Sequence, residues 1–465
     1  MATKIDGAVA SFRAGFAGTA LTRGDDGYDD ARALWNWSFD RHPVVIARCR
    51  TTADVVSTVA FARESGLPLA VRGGGHSFAG LSSCDDGIML DLSLMHEVVV
   101  DADARTATVE GGATWAQVDA ATQAHGLATT GGLISHTGVA GLTLGGGIGW
   151  LMRKYGLAAD NLLAAEVVTA AGEVVRTHGS REPELLWGLR GGGGNFGVVT
   201  SFQFHLHPVG PVLGGLMAFP LARGREVLQT YRAWAAEQAD EFTTIAVVIT
   251  APPAPFVPGR LVGQKVVGIA GCWCGDPEAG QAALGPLRAL EPAVDAFAPM
   301  PYAALQRMLD DGAPPGRRNH ARSGCAAELS DGLIEALLEH GARLPSPLSQ
   351  IHVHHLGGAV ARVGEDDTAF GNRRAAYAYN LIATWEDPSE DDLHQAANRA
   401  LARALGPFST GGVYVNFLGG QDAARVRAAY RAATFARLAR LKRRFDPQNL
   451  FRLNHNIPPA SAIRP

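Results

Sequence analysis

The chain has little cysteine and no pattern in it. Its 465 residues include five, Cys49, Cys84, Cys272, Cys274 and Cys325. An odd, scattered set argues against a disulfide framework and fits a reducing compartment. Cys272-Trp273-Cys274 has one residue between its thiols, not the two of zinc and thioredoxin-type sites, so it reads as two thiols on one face of a strand. No metal is expected. Positive charge is not in excess either. Lys and Arg number 41 against 45 Asp and Glu, a formal charge of −4, which argues against nucleic acid or an anionic membrane as partner. No uninterrupted apolar run approaches the ~18 residues of a membrane span, so none is expected. The opening MATKIDGAVASFRAGFAG has no apolar core behind a basic start, so secretion is not expected and a cytoplasmic location is. Internal repeats and low-complexity tracts are missing too.

What is present is glycine, 56 residues of it, and it is clustered. A hydrophobic content of 47% with 18% charge is that of a soluble enzyme, and the length calls for two domains. The first glycine cluster is Arg72-Gly73-Gly74-Gly75-His76-Ser77, directly after the strand-like Leu69–Val71. Glycines permit positive φ and close approach of backbone to a ligand, and Arg72 adds charge suited to phosphate. A histidine at the end of such a turn is unusual and implies that a ring nitrogen acts on the cofactor, with a covalent bond as one option. A second block runs from Gly131 to Gly149 and a third from Arg190 to Gly197. Between and around them, strands are expected at 44–47, 69–71, 88–91, 97–101, 106–110, 161–169, 173–177 and 198–205, with helices at 52–65, 114–125 and 184–189. Beyond about residue 209 glycine thins out. Strands at 244–250, 264–274, 350–356, 379–385 and 413–417 suggest an antiparallel sheet with helices. Residues 425–444 read as one amphipathic basic helix. A nicotinamide-binding Rossmann reading fails, because Gly73–Gly75 does not form G-x-G-x-x-G and His76 interrupts it.

Four stretches carry a resemblance: VRGGGHS, SHTGVAGLTLGGGIGWLMRKYGLAADNL, ELLWGLRGGGGNFGVVTSF and FDPQNLFRLNHNIPP. In this order they resemble the berberine-bridge-enzyme-like FAD oxidases of the vanillyl-alcohol-oxidase, or PCMH-type FAD, superfamily, and most of all its small bacterial members. The resemblance implies an α+β fold with two domains: an FAD-binding domain over 1–207, an antiparallel-sheet substrate domain over 208–420, and a segment over 421–465 that returns to the FAD domain. It implies FAD bound covalently through His76 at the flavin 8α carbon; a hydrogen bond from His76 to phosphate is the alternative. Relatives with a second, cysteinyl link carry Cys where this chain has Ile134, so one attachment is expected and no more.

Further cofactor contacts are implied for Ser135, His136, Thr137, Gly138, Gly141, Leu142, Gly145, Gly146 and Gly149 of the second block. Asn161, Gly197 and Val199 are expected to join them, and Asn454 and Asn456 to close over the flavin. His136 reads equally well as a packed histidine. On the substrate side, His352 and His354 alternate on one face of a strand and His355 points the other way. His352 stands where relatives tend to hold glutamate, and a histidine there can abstract a proton. Tyr414 and Asn416 match a Y-V-N-(Y/F) strand beside the flavin, but Phe417 replaces a frequently catalytic tyrosine and no tyrosine stands near Val247. Tyr302, Asn319, His320 and Arg322 are further polar candidates. The expected activity is oxidation of a CH–OH or CH–NH centre of a small secondary metabolite, with O2 as electron acceptor, in a monomer or homodimer. Thr137 and Leu142 motivate a rival, a flavin-N5-oxide-type oxygenase acting on an aromatic or polyketide intermediate. A flavin-loaded but inactive binding protein is the third option.

Overall fold

A computed structural model describes residues 2–420 and 422–461; the proposed C-terminal segment therefore has Gln421 and residues 462–465 outside the described residues. Three large sheets organise the described residues, beside a two-stranded ladder of Leu127–Ala128 with His207–Pro208. The first joins Thr19–Leu21, Val45–Arg48, Ile88–Asp91 and Leu69–Arg72 in that order, the last three parallel. The helix Thr52–Ser65 links two of these strands. Its start is fixed by a capping box, in which Thr51 Oγ1 accepts from Asp54 N at 3.2 Å and Asp54 Oδ2 accepts from Thr51 N at 3.0 Å. Strand Leu69–Arg72 runs straight into the first glycine turn, which is how the sheet delivers His76.

The second sheet is antiparallel, in the order Val98–Asp101, Thr106–Glu110, Val198–His205, Leu162–Val168, Val174–His178. The third, also antiparallel, runs Val294–Asp295, Val212–Pro220, Lys265–Trp273, Phe242–Thr250, Gln350–His355, Tyr377–Trp385, Arg318–Ala326, with Ala298–Met300 beside Val212–Pro220. Strand alternation gives this sheet two unlike faces. Ile351, Val353, Tyr379 and Leu381 pack into a core with the helices Gly224–Ala236, Asp331–Ala342 and Asp391–Leu405. His352, His354 and Asn380 face the other way, into a cavity.

Four strands of this sheet escape the sequence pattern, the short Val294–Asp295 and Ala298–Met300 and two long ones. Val212–Pro220 contains Gly214-Gly215, which reads as a turn, yet any side chain at Gly215 would meet Ala296 O at 2.4 Å. Arg318–Ala326 alternates polar and small residues, with no apolar period to mark it. Conversely, 413–417 is not a strand. Cys325 N donates to Gly412 O and Tyr414 N to Ser323 Oγ, so the segment runs along the sheet edge before closing into a 3₁₀ turn, Val415–Phe417. The basic helix is also two, Ala423–Ala428 and Ala432–Phe445. The break lets buried Tyr430 reach Gly191 O at 3.1 Å.

The last helix returns to the third glycine block. Lys442, fully buried, donates to Asn195 O and Phe451 O, both at 2.8 Å, and pairs with Asp446 at 2.7 Å. Asp446 in turn accepts from Leu450 N and Phe451 N, so both buried charges are fully partnered.

Candidate active site

One elongated cavity of about 1240 Å³ runs from the glycine loops to the third sheet. Gly73, Gly74, Gly75, His76, Ser77, Thr137, Gly138, Gly141, Leu142, Gly197, Val199 and Asn454 line it, with Tyr414 and Asn416 beside the second glycine block and His352 and His354 on the third sheet. The first and second glycine blocks cross at Gly74 and Gly138. A Cβ on Gly74 would lie 2.4 Å from Gly138 N, and one on Gly138 would lie 2.3 Å from Gly74 N, so no other residue fits at either place. Within the first turn only Gly75 takes positive φ, 71°.

Several expected cofactor residues stand behind the lining. Arg72 does not face the cavity; its Nη1 donates to Ala31 O at 2.5 Å and its side chain lies under Gly75. Ser135 is bound to Asp310, through N at 2.8 Å and Oγ at 2.6 Å, and His136 also stands outside the lining, against His76. Gly145 is pressed against Asn416, Gly146 against Phe370 and Gly149 against Gly131 O, which explains glycine there by packing rather than by ligand contact. Asn161 donates to Tyr155 O and Leu157 O and meets His207 Nε2 at 2.6 Å. Asn456 is likewise outside the lining, its Oδ1 buried without a partner. Of the extra polar candidates Asn319 lines the cavity, whereas Tyr302, His320 and Arg322 do not.

His76 sits between two rings. It stacks on Trp35, centroids 4.7 Å apart and planes 19° from parallel, and its Nε2 lies 2.6 Å from Nδ1 of His136. Burial, with His136 adding to it, pulls the His76 imidazole down to about 3; burial also lowers His136, opposed by the Asp310 carboxylate. The pair is therefore neutral at pH 7.

Tyr414 and Asn416 are engaged with the second glycine block. The Tyr414 hydroxyl accepts from Gly147 N at 2.9 Å, Ile148 N at 3.3 Å and Asn416 Nδ2 at 2.7 Å, and Asn416 Nδ2 also donates to Leu142 O at 2.9 Å. Burial pushes the Tyr414 phenol upward. Through these bonds both side chains hold the Leu142–Ile148 turn while remaining on the cavity wall.

The substrate-side histidines differ from each other. His352 Nε2 lies 2.8 Å from Gln350 Oε1, and Gln350 Nε2 donates to Gly312 O at 3.0 Å. That orientation of the Gln350 amide makes His352 Nε2 the donor and leaves the lone pair on Nδ1. His354 is 1% exposed, leans on Phe417 with ring centroids 5.3 Å apart, and neither of its nitrogens has a partner. Burial brings His352 down to about 4 and His354 well below its usual value, so both are neutral at pH 7. His355 points away as expected, meeting Arg153 Nη1 at 3.3 Å and stacking on Tyr377.

Two family models match the chain, the FAD binding domain over residues 43–178 and "Berberine and berberine like" over 413–458. An FAD-linked oxidoreductase of Dictyostelium discoideum is 32% identical over 457 residues, 97% of each chain. The chain belongs to the berberine-bridge-enzyme-like FAD-linked oxidoreductases. (R)-6-hydroxynicotine oxidase of Paenarthrobacter nicotinovorans is 28% identical over 95% of this chain and 97% of its own. The crystal structure of 6-hydroxy-D-nicotine oxidase from Arthrobacter nicotinovorans superposes with a TM-score of 0.86 at 28% identity, covering 96% of this chain and 98% of that one. The fold is thus the α+β PCMH type with an antiparallel substrate-side sheet, and the protein is an FAD enzyme.

The residues present fit that cofactor. Gly141 and Gly194 line the cavity with nothing within 4 Å of where a Cβ would stand, an open cradle of backbone. Asn454 Oδ1 and His455 Nδ1 also belong to lining residues and are buried without partners. Each is a polar atom that a bound heterocycle or ribityl chain can satisfy. Sequence reasoning missed His455, one position from two residues it named, and Trp35, which no pattern marks. It missed Asn380 as well: this residue stands opposite His352 in register, is 3% exposed, and has an unpartnered Oδ1. The signal available was the strand period in 377–385, once His352 was placed.

Proposed function

We propose that this enzyme is an FAD-dependent oxidase whose flavin is attached once, through His76, and which oxidises a CH–OH or CH–NH centre of a small, largely apolar secondary metabolite. One observation carries the reading: His76 and the pair His352–His354 lie on walls of one continuous cavity. Bound there, FAD supplies the two-electron acceptor and passes the electrons to dioxygen. The chain's own residues do the rest. Gly74, Gly138, Gly141 and Gly194 bring backbone to the cofactor, and Asn454 and His455 offer it hydrogen bonds. His352 Nδ1 takes the substrate proton, with Gln350 holding the tautomer. His354 and Asn380 supply the unpartnered polar atoms that orient the reacting carbon's substituent. Ile134, where bicovalent relatives carry cysteine, supports a single attachment. Leu216, Ile249, Pro252, Phe256, Leu261 and Met308 line the outer cavity and favour an apolar substrate body.

The division at residues 207 and 420, with a return of the C-terminal segment, belongs to the same proposal and is supported by the Lys442 contacts to Asn195 and Phe451. So do a cytoplasmic location and a monomeric or dimeric state. The test is flavin fluorescence on a denaturing gel for wild type and His76→Ala, with hydrogen peroxide measured during turnover. Wild type is expected to stay fluorescent and the variant dark; a dark wild type rejects the attachment. A second reading, the N5-oxide-type oxygenase, draws support from Thr137 and Leu142 on the cavity wall. It requires an altered flavin spectrum after exposure to oxygen, and an ordinary oxidised spectrum rejects it.

A further inference from the structure

We infer that His136 is the proton acceptor that lets His76 form its bond to the cofactor, and that the turn Asp310–Gly312 holds His136 to the task. This rests on the attachment proposed above and concerns how that bond is made. His76 has two ring nitrogens, and Nε2 is committed to His136 Nδ1 at 2.6 Å, a hydrogen bond in which one ring donates and the other accepts. The Trp35 stack fixes the plane of the ring. Nδ1 is left as the nitrogen able to bond into the cavity. It has a lone pair only when the proton sits on Nε2, and His136 Nδ1 accepts that proton's hydrogen bond.

Alkylation of Nδ1 creates an imidazolium where burial strongly disfavours charge. The Nε2 proton must then leave, and His136 Nδ1 stands within hydrogen-bond reach to take it. The Asp310 carboxylate favours the protonated form of His136. Asp310 is itself anchored by Ser135 N and Oγ, and Ala313 O, one residue past the turn, accepts from Trp35 Nε1 at 2.8 Å. Both rings that touch His76 are thus tied to residues 310–313, on the substrate side of the molecule. Attachment should therefore require that side to be docked.

The step balances. The Nδ1–C8α bond forms while one C8α–H bond and the Nε2–H bond break. The two protons pass to solvent, one by way of His136, and the two electrons remain on the flavin until dioxygen takes them, giving hydrogen peroxide.

The test is made on the full-length chain, incubated with FAD in air. Covalent flavin is followed over time on denaturing gels, and total bound flavin in the native protein. His136→Ala should still bind FAD but attach it about a hundredfold more slowly, the usual worth of a positioned proton acceptor. Added free imidazole should recover part of that rate, which a merely structural role would not allow. His136→Asn, whose amide can face Nε2, should fall between, and it decides the matter if the alanine variant fails to fold. Asp310→Asn should slow attachment by a smaller factor. Attachment by His136→Ala at the wild-type rate, or a slow rate indifferent to imidazole and unimproved by asparagine, overturns the inference alone. Complete release of flavin from denatured wild type overturns it together with the proposed attachment.

Discussion

His76, His352 and His354 line one cavity, His136 backs His76 from behind that lining, and the two histidine pairs are built differently. His76 and His136 share a hydrogen bond of 2.6 Å, so the tautomer of one sets that of the other. His352 and His354 sit with ring centroids 5.9 Å apart and do not bond to each other; His352 is bound to Gln350 and His354 to nothing. The first pair closes on itself, which supports the proposal that His76 makes one permanent bond. The second leaves the His354 nitrogens without partners on the cavity wall, which supports the proposed part of this pair in meeting substrate. The two are not independent. The turn that presents Asp310 beside His136 also presents Gly312 O to Gln350, so one short segment orients both.

The sharpest way to separate the pairs is His352→Ala. Anaerobic flavin reduction by substrate should slow by about 10²–10⁴-fold, the range for loss of a general base, while covalent attachment stays at the wild-type level. Equal loss in both measurements would mean that the pairs do not divide the work. His76→Ala should invert the pattern, abolishing gel fluorescence while slowing flavin reduction less than His352→Ala does. Next in size is the pH response. With His352 held near 4 by burial, flavin reduction should be flat through neutrality and fall only as pH drops through about 4 and the base becomes protonated. A break near 6.5, the value of an unburied imidazole, would show that His352 is open to water during the reaction. Gln350→Leu tests the tautomer. Loss of one hydrogen bond worth about 1 kcal/mol should slow reduction by roughly fivefold, again without touching attachment.

The cofactor side was far more legible in the sequence than the substrate side. Gly74 and Gly138 are legible because backbone against backbone at 2.4 Å leaves glycine as the one option, and such clusters stand out in any chain. Helix Thr52–Ser65 and strands Ile88–Asp91, Thr106–Glu110 and Val198–His205 have the bounds their caps and periods predict. Arg72, Ser135, Asn161, Gly145, Gly146 and Gly149 were harder. They sit in the right loops, but which of them turn inward depends on partners such as Ala31, Asp310, His207 and Phe370, distant in sequence. The same is true of Tyr414 and Asn416, whose hydrogen bonds reach back some 270 residues to the second glycine block. On the third sheet the strand period put His352 and His354 on one face. It could not reveal Asn380 until the register with the neighbouring strand was known.

The smallest effect on chemistry is also the cleanest test of what supports the closed pair. The loop carrying His136 is held by the helix Trp115–Gln123, whose first N–H groups bond to it: Trp115 N to Thr137 O and Ala116 N to Ser135 O. One turn further along, Asp119 is buried against Gln306, whose Nε2 donates at 3.0 Å. Burial raises the Asp119 carboxyl from 3.8 to about 7, although Gln306 and Arg307 oppose the shift. In the unfolded chain that carboxyl ionises near its ordinary value. Between about pH 4 and 7 the folded protein therefore keeps a proton that the unfolded chain has released, and stability falls as pH rises across that window. Asp119→Asn removes the titration. By chemical denaturation the variant should gain on wild type as pH rises, by up to a few kcal/mol at pH 8, while the difference closes or reverses near pH 4. Flavin attachment and reduction should stay as in wild type. A stability difference that does not change with pH would mean that Asp119 is ionised in the fold, with Arg307 and Gln306 offsetting its burial.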